Sequence, residues 1–200
     1  MPLPSTLLQQ PGPLPAARFT RDAVPTPITM ASPPRDSDAL VLLRQDHDLI
    51  RQLFKDFERL LMQGHDTRHR AERAGVVSRI CSELNMHIQV EDEIFYPAVR
   101  TAIQDDLLMD VADVEHEGVM RLIMELDMMN ADEALYDAKV IVLGKEASRH
   151  MKDEQDLMFP KVRQVKLDTI ALGKEMVLLR SALKRDPAQP LFQHEDERSI

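Results

Sequence analysis

The chain has no tryptophan, two tyrosines, six phenylalanines, six glycines and a single cysteine in 200 residues. So few aromatic side chains, against abundant Leu, Met, Ala, Glu and Asp, argue against a sheet and for helices. One cysteine, Cys81, forms no internal disulfide, so nothing points to an oxidising compartment. No run approaches the roughly 18 apolar residues of a membrane span. The N-terminus is broken by prolines and lacks the continuous apolar core of a secretory signal, so a cytoplasmic location is expected. The formal net charge of -9 is opposite in sign to the Lys and Arg clusters that grip phosphate backbones, and nucleic acid is not an expected partner. The length suits one domain.

Proline is unevenly spread. Positions 2, 4, 11, 13, 15, 25, 27, 33 and 34 fall in residues 1–35, a stretch expected to be a disordered arm. Met30 is an alternative start within it. A flexible polar tail is expected over 186–200.

Between these lies a repeat. The stretch His87-Ile-Gln-Val-Glu91-Asp-Glu-Ile-Phe-Tyr-Pro97 recurs as His150-Met-Lys-Asp-Glu154-Gln-Asp-Leu-Met-Phe-Pro160. His87 falls on His150, Glu91 on Glu154, Ile94 on Leu157, Tyr96 on Phe159 and Pro97 on Pro160. Each copy is preceded by an amphipathic segment with a histidine after an acid, Asp46-His47-Asp48 and Glu115-His116-Glu117.

Apolar residues recur at steps of three and four through four segments. The first begins near Asp36-Ser37-Asp38, carries Leu43, His47, Ile50, Phe54, Phe57 and Leu61 on one face, and ends at Gly64. Thr67 is expected to cap the second, which has Ile80, Leu84, His87, Glu91 and Ile94 inward, Asp92 outward, and a bend or end at Pro97. The third, about Asp105 to Met129, shows Met109, Ala112, His116, Val119, Ile123 and Leu126. The fourth, about Glu133 to Pro160, shows Val140, Leu143, Ala147, His150, Glu154 and Leu157. A shorter fifth helix is capped by Asp168. The expected fold is all-α, an antiparallel up-down four-helix bundle over 36–164 with a C-terminal helix over 165–185.

On a helix, positions i and i+4 share a face, so His87 with Glu91, and His150 with Glu154, each present an imidazole beside a carboxylate. Six such groups in an apolar core are costly unless coordinated. Four histidines and two glutamates exceed one tetrahedral zinc but suit two metals, each with two histidines and both sharing the glutamates. Nitrogen and oxygen donors without thiolate favour iron or manganese and the spacing does not exclude zinc; iron is the metal expected, ahead of manganese or zinc.

These residues resemble the hemerythrin-like, or HHE cation-binding, domain over about residues 38 to 185, including the Leu-Asp-Thr-Ile-Ala-Leu-Gly segment that opens the fifth helix. The resemblance implies a non-haem di-iron centre that meets dioxygen or nitric oxide. His47 and His87 would hold one iron, His116 and His150 the other, and Glu91 and Glu154 would bridge. One position departs from the oxygen carriers of that family: their extra third-helix histidine is Ala112 here, and Asp113, the nearest candidate, is expected as an exposed, solvated acid. Open positions on both metals are therefore expected, as in the four-histidine members linked to sensing, iron handling or repair of iron centres. Gas binding comes first; an enzyme reducing oxygen or peroxide, or repairing iron-sulfur centres, with a redox partner protein, is the alternative, and a zinc-pinned structural bundle a third. His65, His69 and His194 are expected at the surface, Cys81 as a structural thiol, Met120, Met124, Met128 and Met129 as core filler, and Tyr96 as pocket lining or packing.

Overall fold

The structure is a computed structural model, and it describes residues 38–64 and 66–185. The expected arm, Met30, the tail, His65 and His194 lie outside the described residues.

Asp38 accepts hydrogen bonds from the Leu40 and Val41 amides and starts α1 (Ala39–Gln63). Gly64, at φ 148, ends it in a backbone region that side chains other than glycine rarely enter. The next cap is Asp66 rather than Thr67: its carboxylate accepts from the His69 amide, and Thr67 is the first residue of α2 (Thr67–Val90).

Pro97 does not end this helix. A π-turn spans Glu91–Phe95, in which the Tyr96 amide reaches back five residues to the Glu91 carbonyl, and α3 (Tyr96–Ile103) follows at once. Pro97 thus sits near the start of α3, where a missing N–H costs little. Asp105 caps α4 (Asp106–Asp127). After a turn in which Leu135 is left-handed, α5 (Tyr136–Asp153) begins three residues later than the pattern suggests. The second copy repeats the device: a π-turn over Glu154–Met158, then α6 (Phe159–Gln164) with Pro160 near its start. Asp168, accepting from the Ala171 amide at 2.9 Å, caps α7 (Thr169–Arg185).

The elements form an up-down helical bundle, α1 against α2 and α4 against α5, with α7 laid across α1, α2 and the first π-turn. Its core comes in two parts. One holds Ile50, Phe54, Phe57, Ile80, Leu84, Val119, Ile123, Val140 and Leu143; the other holds Leu43, Phe95, Val99, Met109, Ala112, Phe159, Val162 and Met176. Along each helix of the repeat, the boundary between the two parts falls at His47, His87 and Glu91, His116, or His150 and Glu154. No described helix is long and apolar enough to cross a membrane.

The π-turns change which residues face inward. Leu157, expected inside, is 51% exposed, and Met158 at 1% takes its place; Ile94 is half-buried and Phe95 fully buried. Each π-turn adds a residue to the turn, so the apolar phase slips by one position. Met120 is buried and Met129 packs on the core, but Met124 and Met128 are exposed.

Candidate metal centre

The chain brings all six repeated histidines and glutamates together in one buried layer, each at most 4% exposed. Each glutamate faces both halves of the repeat. Glu91 Oε2 lies 3.3 Å from His87 Nε2 on its own helix and 3.4 Å from His116 Nε2 in the other copy. Glu154 Oε2 lies 3.6 Å from His150 Nε2 and 3.1 Å from His47 Nε2. The imidazoles pair edge to face, His47 with His87 at 4.9 Å and His116 with His150 at 4.5 Å between centroids.

The far nitrogens have partners that the repeat also relates. His47 Nδ1 meets the Gln155 amide at 2.6 Å, and His116 Nδ1 meets Asp92 Oδ1 at 2.8 Å; Gln155 and Asp92 are the residues after the two glutamates. His150 Nδ1 meets Glu115 Oε2 at 3.0 Å, while His87 Nδ1 faces Asp46 Oδ2 at 3.7 Å, beyond hydrogen-bonding reach; Glu115 and Asp46 precede the first histidine of each copy. Asp92, expected to look outward, is half-exposed yet keeps one oxygen on His116. None of these four was singled out from the sequence as a partner. The signal was there, because each recurs in register beside a candidate ligand.

Tyr96 adds a further difference between the halves. The Tyr96 hydroxyl donates to Glu154 Oε1 at 3.1 Å and lies 3.3 and 3.4 Å from the Nε2 atoms of His116 and His150. Its ring stacks on His116. At the equivalent place the ring of Phe159 stacks on His47 and offers no oxygen. Asp113 lies away from the layer, at the surface on Arg100.

The residues fit a cation. Nε2 of His47, both nitrogens of His87, both oxygens of Glu91 and Oε2 of Glu154 are buried without a hydrogen bond of good geometry, a cost that coordination relieves. Two groups have nitrogen and oxygen atoms that all lie within 4.8 Å of one another: His47, His87, Glu91 and Glu154, and Glu91, His116 and His150. The electrostatics show the same demand for positive charge. Burial, then the charge of Glu154, holds the Glu91 carboxyl well above its ordinary range. Burial acts upward on Glu154 too, but the His150 charge and contact with His47 outweigh it and keep Glu154 ionised. For His150, burial works downward and is overcome by Glu154 and Glu115, which raise its pKa.

A curated protein from Nostoc sp. described as a DNA nickase is 24% identical over 141 residues, which is 70% of this chain but 38% of that protein. The chain therefore spans little more than a third of that relative's length. The crystal structure of a hemerythrin HHE cation-binding domain-containing protein from Mycobacterium kansasii has a TM-score of 0.60 at 23% identity, covering 76% of this chain and 94% of that one. It shares the fold. The family described as the hemerythrin HHE cation-binding domain matches residues 38–162. With a buried His and Glu cluster suited to a metal cofactor at its centre, this chain belongs to the hemerythrin HHE cation-binding family.

Proposed function

We propose that the chain is a non-haem di-iron protein that binds dioxygen or nitric oxide, as sensor, scavenger or store, or that handles iron. The observation that carries the reading is the pair of glutamates, each facing one histidine from either half. His47 and His87 would hold one iron, His116 and His150 the other, and Glu91 and Glu154 would bridge. When bound, the irons supply a Lewis-acidic, redox-variable centre for a small diatomic ligand.

The chain's own residues do the rest. Gln155, Asp92 and Glu115 hold the far nitrogens of His47, His116 and His150, orienting those rings so that Nε2 faces inward, and Asp46 stands behind His87 at 3.7 Å. The apolar layers on either side keep bulk water out and strengthen electrostatics within. Tyr96 adds one hydroxyl to the His116 and His150 half, which is otherwise short of a donor at Ala112.

That hydroxyl also favours a second reading, an enzyme reducing dioxygen or peroxide with electrons from a partner protein. Reduction consumes protons, and the Tyr96 O–H, donated to Glu154, is one inside the site. Nicking of DNA sits poorly with a net charge of -9.

The test is the metal content of protein purified without air, then its visible absorption before and after oxygen. About two irons per chain and a new charge-transfer band are expected. Zinc, or one metal with no spectral response, would overturn the gas-binding reading and leave a metal-pinned bundle. Turnover with a reductant would separate enzyme from binder.

A further inference from the structure

Two of the carboxylates behind the imidazoles, Asp46 and Glu115, are themselves backed by arginines, and here the two halves are built differently. In the second half, Glu115 holds His150 Nδ1 with Oε2 while Oε1 lies 3.3 Å from Arg149, the residue just before His150. In the first half, the residue just before His87 is Met86, which offers no charge. The guanidinium comes instead from α7. Arg180 Nη1 donates to Asp46 Oδ1 at 2.5 Å, and Arg180 Nε lies 3.3 Å from the sulfur of Met86. Arg180 therefore occupies in space the place that Arg149 occupies in sequence.

The first-half pair is also the more buried. Asp46 and Arg180 side chains are 9% and 23% exposed, against 12% and 59% for Glu115 and Arg149. A carboxylate so enclosed needs a partner that fixes its direction, and a carboxylate behind an imidazole sets the ring's tautomer and orientation. Asp46 faces His87 across 3.7 Å without a hydrogen bond of its own to it, so Arg180 is the group that holds it in place.

We propose that Arg180 is a positioning residue for one metal: α7 completes the His47 and His87 half by supplying the guanidinium that Met86 does not. The inference rests on the two-iron reading above. It makes the C-terminal helix a determinant of metal loading, acting on one half of the centre.

The experiment titrates the full chain with ferrous iron without air and measures iron retained per chain against a competing chelator. Circular dichroism and thermal melting of each variant accompany it. The wild type is expected to retain two irons. Arg180→Met is expected to keep one at wild-type affinity and bind the other about tenfold to 100-fold more weakly, the range for removing an outer partner of a ligand. Adding Met86→Arg to Arg180→Met places an arginine where the second half has one, and is expected to restore the second iron. Arg149→Met should weaken the opposite half, and the Arg149 and Arg180 double variant both. If Arg180→Met does not fold, Arg180→Lys keeps the charge without the fork and should show an intermediate loss. Two irons held at wild-type affinity in a folded Arg180→Met or Arg180→Lys protein would overturn the proposal, as would a Met86→Arg variant that rescues nothing. A wild type holding fewer than two irons would instead remove the di-iron reading beneath it.

Discussion

Tyr96 and Phe159 are the same position in the two copies and differ by one oxygen atom. Burial, then the negative charges of Glu154 and Glu91, pushes the Tyr96 pKa well above its ordinary value, so the group remains an O–H donor rather than a phenolate. Tyr96→Phe makes the halves alike at this position, at a cost of about 1 kcal/mol for the lost hydrogen bond. The variant is expected to keep both metals but to slow oxidation by dioxygen roughly 100-fold, as loss of a positioned proton donor does. Stopped-flow absorption checks this, and an unchanged rate would leave the hydroxyl a packing feature. Cys81 gives a second expectation. Burial, then the charge of Asp127, pushes its thiol up to about 12 from 9.0. A neutral thiol favoured by the fold stabilises it fully below pH 9, and that contribution is lost as pH rises towards 12. At pH 8 a thiol reagent should label Cys81 only after unfolding. The six clustered residues were legible in the sequence because they recur in register. Tyr96 was not assigned to either role, because its reach to Glu154 depends on where the π-turn leaves it.

The helices themselves were legible from apolar spacing: all six residues expected on the inner face of α4 are buried, and on α1 all but the half-buried Leu61. The pattern failed at Leu157, where 3.6 residues per turn no longer applies. Glu154 and Phe159 are five apart yet both buried, which an unbroken α-helix does not place on one face. The π-turn reconciles them, and its cue was the proline following each aromatic residue. Helix packing sets another limit that no periodicity shows. A Cβ built on Gly144 of α5 would stand 2.9 Å from a ring carbon of Phe54 on α1. The ring is buried and has no free end to swing aside. Gly144→Ala gains up to about 1 kcal/mol in helix propensity but forces these helices apart, at about 1–3 kcal/mol. The net expectation is a melting temperature lower by a few degrees with metal content unchanged. A rise in melting temperature would show that α5 can shift at no cost.

At the scale of the whole molecule, the polar layer divides the apolar core, and this ties stability to metal. Without a cation, four imidazoles and two carboxylates stay buried with several atoms unpaired. Folding carries that penalty, several kcal/mol for groups of this kind. A cation that binds the folded chain and not the unfolded one stabilises it by mass action, about 2.7 kcal/mol at a free concentration 100 times Kd. For a domain of this size that is a rise of roughly 5–10 °C in melting temperature. The two apolar parts lie on either side of the layer and pack without it, so the metal-free protein is expected to keep its helical circular dichroism. Loosening should concentrate at the layer, seen as faster amide exchange around Glu91–Phe95 and Glu154–Met158 on chelation. Glu91→Ala removes one carboxylate shared by the two halves. It should abolish the metal-dependent rise while raising the stability of the metal-free protein, since an unpaired buried carboxyl is gone. A protein that melts at one temperature with and without metal would mean that the layer is satisfied within the chain, and that its six side chains are a polar core rather than a binding site.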